Sequence, residues 1–393
     1  MLDIPSRAAT AEPEAAADSY AWVDRGERWV KEPRNLAPAL DSFLTHAHKL
    51  RAEQVMFSTF QPASFRLWGV NRKVKSRDPL DENDASLIVN HLYGADGMAR
   101  LQGGNDFDTA YAIQLDRSTR LRFRLNATPT RTARRDGGNI VLRPIADMPP
   151  ALADQLVEPG ILDAYRPRQG MVIVSGATGS GKSTLIAGMT VAKLLDPEGN
   201  FNMVEGAAPV EFLLERVRGP SSTINQTEIP RDLPTFAAFV RGAMRREPTD
   251  IIVGECRDSE TMDAAIQAAI SGHVLTTTVH ANDVALTMQR IASLCPPAER
   301  ENLVSAVAQS LRLVINQRLA RSTDGRRTAL REFLVFDAAL RGTFLRTEPS
   351  EWPTLTRRAV EEQGQSYRTA IERALEAGRI SEQTAAHEMR QVG

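Results

Sequence analysis

The chain of 393 residues is long enough for two domains of ordinary size. With 42% hydrophobic and 25% charged residues, and without an apolar run long enough to cross a bilayer, the composition is typical of a soluble globular protein, and any membrane role is expected to be peripheral. A formal net charge of -1 argues against a protein whose main task is to grip duplex nucleic acid, and the two cysteines, Cys256 and Cys295, lack a metal-binding spacing and suit a reducing compartment.

The first part of the chain is predicted to contain a tail and a small domain. Residues 1–28 are rich in Ala, Pro and Glu without a signal-peptide pattern, which predicts a disordered tail. Within the predicted domain 29–145, the stretch TRLRFRLNATP alternates apolar residues with arginines and predicts a half-buried strand. The Asp-Gly-Gly turn at 136–138 and the stretch NIVLRPI then predict a hairpin. Four prolines between Pro144 and Pro159 indicate a linker, assigned to 146–160.

From residue 161 to 342 the pattern changes to apolar strands that alternate with helices. This alternation predicts an α/β domain with a parallel sheet flanked by helices. The predicted strands lie at 171–175, 201–205, 250–255 and 273–280, and the predicted helices at 183–200, 235–247 and 258–272. Residues 343–393 are polar with a helical pattern, which predicts a small appended helical subdomain.

The strongest motif is GATGSGKST, which directly follows the first of these strands and opens a helix. Its glycines let backbone N–H groups surround phosphate oxygens, and the helix N-terminus adds partial positive charge. Lys182 is expected to reach the β- and γ-phosphates, and Ser183 to hold Mg²⁺. The predicted nucleotide-binding residues are Gly176, Ala177, Thr178, Gly179, Ser180, Gly181, Lys182, Ser183 and Thr184.

Glu255 ends the predicted strand DIIVGE, 73 residues after Lys182. The chain carries no guanine-reading [NT]-K-x-D motif, which favours ATP as the nucleotide. The interval leaves room for one more strand with its helices, the layout of a RecA-like ATPase in which the strand next to the phosphate-binding loop brings a carboxylate to the γ-phosphate. Glu255 would then orient and deprotonate the attacking water. A structural carboxylate that pairs with Arg257 remains the alternative.

Four ordered stretches, GATGSGKSTL, VEGAAPVEF, RREPTDIIVGECRDSETM and GHVLTTTVHANDVALTMQRI, resemble the Walker A, Asp-box, Walker B and His-box motifs of the PilT-like secretion ATPases. The stretches RFRLN, TEIPRDLPTFAAFVRGAMRR, GECRD and ALREFLVFD resemble, more narrowly, the branch of DotB and TraJ types that serves type IV secretion and conjugation. The resemblance covers about residues 40 to 390.

The resemblance implies a homohexamer of subunits with a PAS-like α+β N-terminal domain and a RecA-like ATPase domain. It also implies that ATP hydrolysis rotates one domain against the other. It assigns catalytic roles to Lys182, Glu255, the His-box His280 and the Asp-box Glu205 and Glu211. It further implies that Arg124 and Arg143 reach the phosphates across a domain or subunit junction, and that Arg241, Arg245 and Arg246, predicted to lie on one helix, serve the subunit interface.

Two departures from the family pattern affect these assignments. The Asp-box loop between Glu205 and Glu211 is two residues longer than usual, so Glu205 at the strand end is favoured over Glu211. Gly254 stands where ordinary Walker B motifs carry an Asp, and the resembled family shares this glycine. Mg²⁺ would then be held mainly by Ser183, phosphates and waters. Arg122 is expected on a solvated strand face, and His273 is expected to be structural.

The resulting expectation is a cytoplasmic ATPase, recruited to the inner membrane through protein contacts, that powers a type IV secretion or conjugative transfer system. Its partners would include an inner-membrane complex with another ATPase, without sequence-specific nucleic-acid binding. A pilus retraction motor is the alternative of the same class. A P-loop kinase, a nucleic-acid translocase and a nucleotide-gated scaffold are the alternatives from other classes.

Overall fold

The computed structural model describes residues 36–67, 70–74, 78–116, 119–132, 136–296 and 299–392, and the predicted tail 1–28 lies outside them. The chain divides into two compact units, one up to Asp147 and one from Met148 onward. Among the described residues, we find no helix that combines the length and apolar character needed to span a membrane.

The first unit is an α+β fold around one antiparallel sheet with the strand order β3-β2-β1-β6-β5-β4. Aromatic side chains that include Phe43, Phe57, Phe65 and Phe123 fill its core. Its elements are α1 (Leu36–Lys49), β1 (Gln54–Ser58), β2 (Ser64–Leu67), β3 (Val70–Lys73), α2 (Glu82–Tyr93), α3 (Gly97–Gln102), β4 (Phe107–Gln114), β5 (Arg120–Arg131) and β6 (Asp136–Ile145).

The predicted pairing is confirmed, since β5 and β6 pair antiparallel with Arg124 opposite Arg143. The predicted turn at 136–138 is wrong, because these residues already pair with 129–131 as the start of β6. The prediction of a solvated Arg122 is wrong, because this side chain is only 4% exposed. β5 lies between β4 and β6, and Arg122 pairs with Ala112 on one side and Ile145 on the other, so its position in the strand is covered.

The second unit holds a seven-stranded sheet with the order β13-β12-β7-β11-β10-β8-β9, in which all pairs are parallel except β12 with β13. This confirms the predicted parallel sheet with flanking helices. Its elements are α4 (Pro159–Ala164), β7 (Gly170–Ser175), α5 (Lys182–Leu194), β8 (Asn202–Ala207), β9 (Thr223–Glu228), α6 (Phe236–Ala243), β10 (Asp250–Val253), α7 (Ser259–Ile270), β11 (Val274–Val279), α8 (Val284–Leu294), α9 (Arg300–Ser310), β12 (Leu311–Arg321), β13 (Arg327–Val335), α10 (Ala338–Arg346), α11 (Trp352–Gln363), α12 (Tyr367–Glu376) and α13 (Glu382–Met389).

Two details of the predicted strand layout are wrong. Two strands, β8 and β9, lie between the phosphate-binding loop and β10 in the chain, where one was expected. The neighbours of β7 are β11 and β12, so β10 is one strand further away than predicted. The sequence TINQTE of β9 is polar because β9 is the edge of the sheet, and distance along the chain does not fix the order of parallel strands joined by crossovers.

The helices after residue 343 belong to the same compact unit as this sheet. Trp352 is buried at the start of α11, where its ring packs edge-on against Phe344, which in turn packs against Phe336. Tyr367 at the start of α12 is buried with Leu330 of β13. The C-terminal helices therefore cover the antiparallel end of the sheet.

Candidate functional site

The segment 176–181 connects the fully buried strand β7 to helix α5 and has the backbone of a phosphate-binding loop. Gly176, Gly179 and Gly181 have φ angles of 145°, 76° and 84°, a region that side chains disfavour. A Cβ atom at Gly176 would come within 2.3 Å of the Gln317 carbonyl oxygen, whereas one at Gly179 would meet nothing within 4 Å. The loop is therefore packed on its inner side and open at Gly179, where an anion could approach the backbone.

Lys182 is the first residue of α5 and is 9% exposed. Its Nζ donates hydrogen bonds of 2.9 Å to the carbonyl oxygens of both Gly176 and Ala177. Burial lowers the pKa of Lys182, while the carboxylates of Glu255 and Glu211 raise it. The ammonium group thus lies over the loop with two carboxylates in its electrostatic surroundings.

Glu255 follows β10 with a side chain that is 16% exposed. Its Oε2 forms an ion pair of 2.7 Å with Arg257 Nε and lies 3.9 Å from His280 Nε2. The turn that carries it is fixed to β11, since Thr278 Oγ1 donates to the Gly254 carbonyl at 2.6 Å. Glu255 therefore has both features that the sequence left as alternatives, a pairing with Arg257 and a place near Lys182.

His280 directly follows β11, at the same carboxyl edge of the sheet, and its side chain is 46% exposed. Its pKa is lowered from the ordinary value, first by burial and then by the charge of Lys182, while Glu255 and the backbone of Gly176 act in the opposite direction. A neutral imidazole next to the loop follows from this balance. By contrast, His273 at the start of the stretch bonds the Pro248 carbonyl at 2.8 Å, which supports a structural role.

Glu205 lies on β8, opposite Ile252 of β10 and Gln226 of β9. It accepts a hydrogen bond of 2.5 Å from Gln226 Nε2, and burial raises its pKa to about 7. Glu211 contributes to that rise and also raises the pKa of Lys182. The longer Asp-box loop therefore still brings Glu211 into the electrostatic surroundings of Lys182.

The edge around Gly254 is tight for a side chain, so an aspartate there would require its neighbours to shift. A Cβ atom there would lie 3.2 Å from both the Cα of Ala207 and the carbonyl oxygen of Gly206. Within the described residues there is no group of three His, Cys, Asp or Glu that could hold a metal. The exposed hydroxyl of Ser183, in the first turn of α5, fits a Mg²⁺ ion whose other ligands come from phosphates and water.

The predicted trans-acting arginines lie in the first unit. Arg124 forms an ion pair of 2.6 Å with Asp108. Arg143 donates to the side-chain oxygen of Gln54 at about 3.0 Å when the Gln54 amide is turned so that its oxygen faces the guanidinium. Arg241 pairs with Glu260 at 2.8 Å on an exposed surface of the second unit.

The placement of Arg241, Arg245 and Arg246 on one helix is wrong. Helix α6 ends at Ala243, and the latter two lie in the 3₁₀ turn Met244–Arg246. The chain leaves the turn through Glu247 at a φ of 49°, and Pro248 follows, which disfavours a longer helix.

Sequence reasoning missed two residues of β12 that contact the site. Gln317 Nε2 donates to the Ser180 carbonyl at 2.7 Å. Asn316 Nδ2 donates to Ser175 Oγ at 2.7 Å and to the Ala281 carbonyl at 3.0 Å. The signal in the sequence was two consecutive amides, Asn316 and Gln317, directly after the apolar run LVI, and both amides are buried in β12.

Comparison with known proteins gives consistent results. The profile of the family described as "Type II/IV secretion system protein" matches residues 34–377. The X-ray structure of the Legionella pneumophila ATPase DotB superposes with a TM-score of 0.84 and 35% identity, covering 91% of this chain and 96% of that one. The uncharacterized protein YggR of Escherichia coli is 32% identical over 269 residues, 68% of this chain and 78% of YggR. The type IV pilus retraction ATPase PilT of Pseudomonas aeruginosa is 36% identical over 176 residues, 44% of this chain and 49% of PilT.

Proposed function

The chain belongs to the type II/IV secretion system protein family and is an ATPase of the PilT-like group, and from this premise we propose that it is the motor of a type IV secretion or conjugative transfer system. The observation that carries the proposal is the convergence of Lys182, Glu255 and His280 at one carboxyl edge of the sheet, where ligands of parallel sheets bind.

The proposed reaction begins with the ATP phosphates on the backbone of 176–184. Lys182 exchanges its contacts with the Gly176 and Ala177 carbonyls for the β- and γ-phosphates. Ser183 would hold a Mg²⁺ ion, which neutralises phosphate charge when bound. The open space at Gly179 lets the phosphates reach the loop amides.

Glu255 then acts on the attacking water. Its carboxylate orients the water toward the γ-phosphorus and accepts its proton while the bond between the γ-phosphorus and the ADP oxygen breaks. The ion pair with Arg257 does not prevent this role, because Arg257 is 69% exposed and such pairs contribute little free energy. His280, kept neutral by burial and Lys182, would contact the γ-phosphate or its water and report whether the phosphate is present.

Assembly and partners complete the proposal. The chain would form a homohexamer in the cytoplasm, with Arg124 and Arg143 reaching the phosphates across a junction, and would dock through protein contacts on an inner-membrane complex that contains another ATPase. The similarity to DotB over 91% of the chain favours secretion or conjugative transfer. Pilus retraction is the second candidate, and the matched region of PilT supports it over 44% of the chain.

The substitution Glu255→Gln tests both the proposed hydrolysis of ATP and the proposed role in substrate transfer. We expect the variant to bind ATP as the wild type does and to lose hydrolysis, because the amide cannot accept the proton of water. In the host strain the same variant should abolish substrate transfer and leave pilus retraction unchanged. Steady-state turnover, measured with and without DNA, provides the readout in solution.

The exposed Glu198 offers a matched control, since Glu198→Gln makes the same chemical change away from the site. A Glu255→Gln variant that hydrolyses ATP at the wild-type rate contradicts the catalytic assignment. Loss of pilus retraction with intact transfer would favour the second candidate, and turnover that rises steeply with DNA would indicate a translocase.

A further inference from the structure

A line of buried hydrogen bonds begins at the segment 155–158, which precedes α4. Arg331 of β13 is 2% exposed and donates to three groups of this segment. Its Nη1 bonds the Leu156 carbonyl and Glu158 Oε2, both at 3.0 Å, and its Nη2 bonds the Gln155 carbonyl at 2.9 Å. Leu156 has a φ of 49°, an unfavourable angle for a residue other than glycine, which surrounding contacts must maintain.

The same guanidinium continues toward the phosphate-binding loop. Arg331 lies directly opposite Gln317 in the pairing of β13 with β12, and its Nε donates to Gln317 Oε1 at 2.7 Å. Gln317 is 3% exposed, and its Nε2 donates to the Ser180 carbonyl at 2.7 Å. One amide therefore bonds Arg331 through its oxygen and the phosphate-binding loop through its nitrogen.

The geometry leaves little freedom between the two ends. The backbone carbonyl of Gln317 also packs against Gly176, since a Cβ atom added there would come within 2.3 Å of the carbonyl oxygen. The side-chain Nε2 of Gln317 would lie 2.9 Å from a Cβ atom added at Gly181. Because a buried polar group without its partner is costly, a displacement of 155–158 either moves Arg331 and Gln317 together or leaves donors unpaired. Movement of the segment is thereby converted into movement of the loop that holds the phosphates.

We propose that Arg331 and Gln317 are positioning residues that couple the segment 155–158 to the phosphate-binding loop, so that the seating of this segment sets the affinity for ATP. The inference rests on the proposed function only in taking the loop as the ATP site. The segment lies near the start of the second unit, which begins at Met148. A displacement of the chain at this point would reach the phosphate-binding loop through the relay formed by Glu158, Arg331 and Gln317.

The test compares Gln317→Leu, Glu158→Gln and the double variant by the dissociation constant of a non-hydrolysable ATP analogue, with thermal unfolding as the measure of folding. We expect Gln317→Leu to weaken binding about three- to tenfold, the range for the loss of one or two buried hydrogen bonds. Glu158→Gln, which leaves the loop untouched, should weaken binding about two- to threefold, because it loosens Arg331 at the far end. The double variant should match Gln317→Leu, since both changes break one relay.

Arg341→Gln serves as the control, since Arg341 donates to the Phe336 carbonyl, which lies beyond the end of β13 and outside the relay. This control should lower the unfolding temperature and leave analogue binding unchanged. The coupling is refuted if Glu158→Gln binds the analogue like the wild type, or if the two single effects multiply in the double variant. A wild-type chain that does not bind the analogue would instead refute the ATP site itself.

Discussion

At the scale of single residues, the Asp-box Glu205 has a pKa well above its ordinary value. Burial raises its pKa from the ordinary 4.5 to about 7, although the Gln226 amide partly offsets the effect. Between these two values the folded chain keeps a proton that the unfolded chain releases. The contribution of Glu205 to stability therefore falls as the pH rises from about 4.5 to about 7, and it stays constant above that range.

We predict from this that Glu205→Gln gains stability relative to the wild type as the pH is raised from 5 to 7. The glutamine oxygen can still accept from Gln226 without carrying a charge. The difference should grow by up to about 1.4 kcal/mol per pH unit and then level off. Urea unfolding at pH 5, 6, 7 and 8 measures it, with the exposed Glu376→Gln as the control. A difference that is independent of pH contradicts the prediction.

How far single residues could be predicted from the sequence depended on whether they belong to a local motif. Lys182 and Ser183 could be predicted as nucleotide-binding residues because a phosphate-binding loop is contiguous and its glycines are required by backbone geometry. Gln317 was missed because it lies 137 residues after Ser180 in the chain, and only the fold brings its amide to the phosphate-binding loop. Long-range pairing of this kind leaves only a weak sequence signal, a polar residue in an apolar strand.

At the scale of elements, an ion pair joins the far ends of two elements that lead to the site. Lys193 near the end of α5 and Asp250 at the start of β10 lie 2.5 Å apart and are 2% and 4% exposed. The Lys193 ammonium also lies 4.4 Å from the centre of the Tyr165 ring. At their other ends, α5 begins with Lys182 and β10 leads to Glu255, so the pair fixes the spacing of both elements.

Lys193→Met is predicted to destabilise the chain by about 3 to 5 kcal/mol, because it leaves the Asp250 carboxylate buried without its partner. Lys193→Met combined with Asp250→Asn should recover most of this loss, since no buried charge remains. Chemical unfolding measures both, and Arg358→Gln, which breaks an exposed pair with Glu362, should cost less than about 1 kcal/mol. A single variant as stable as the exposed control would show that the buried pair contributes little.

Elements themselves were predictable where their residues are apolar and β-branched. The strands β7, β10 and β11 are buried throughout and gave continuous apolar patterns. The edge strand β9 was missed because its exposed positions carry polar residues. The sheet order also escaped prediction, since β11 inserts between β7 and β10 through crossovers that the sequence does not reveal.

At the scale of the whole molecule, the sequence predicted a domain boundary from the change from hairpin patterns to alternating strands and helices near the proline-rich stretch, and the structure divides after Asp147. Assembly is a different matter. Arg124 donates to both carboxylate oxygens of Asp108 in the first unit, with both side chains about one third exposed, so contact with a phosphate requires it to release this partner. The proposed contact of Arg124 with a phosphate therefore has to be tested in the assembled oligomer.

Mixing two inactive variants distinguishes these arrangements. We predict that Arg124→Gln and Glu255→Gln are each inactive alone and regain hydrolysis when assembled together. If Arg124 acts across subunits, a site with an intact Glu255 can receive an intact Arg124 from its neighbour. Random assembly of equal amounts then restores at most about a quarter of the sites. ATP turnover of the mixture, with sedimentation to verify co-assembly, is the measurement.

The control mixture pairs Lys182→Ala with Glu255→Gln. Lys182 and Glu255 lie in one unit of one chain, and the charge of Glu255 raises the pKa of Lys182, so both defects fall within the same site. No mixed assembly can then contain an intact site, and the control should stay inactive. Activity in the first mixture alone therefore shows that the arginine crosses a subunit boundary, because only that arrangement rebuilds a site from two damaged chains. Co-assembled but inactive Arg124→Gln and Glu255→Gln subunits would place the action of Arg124 within its own chain.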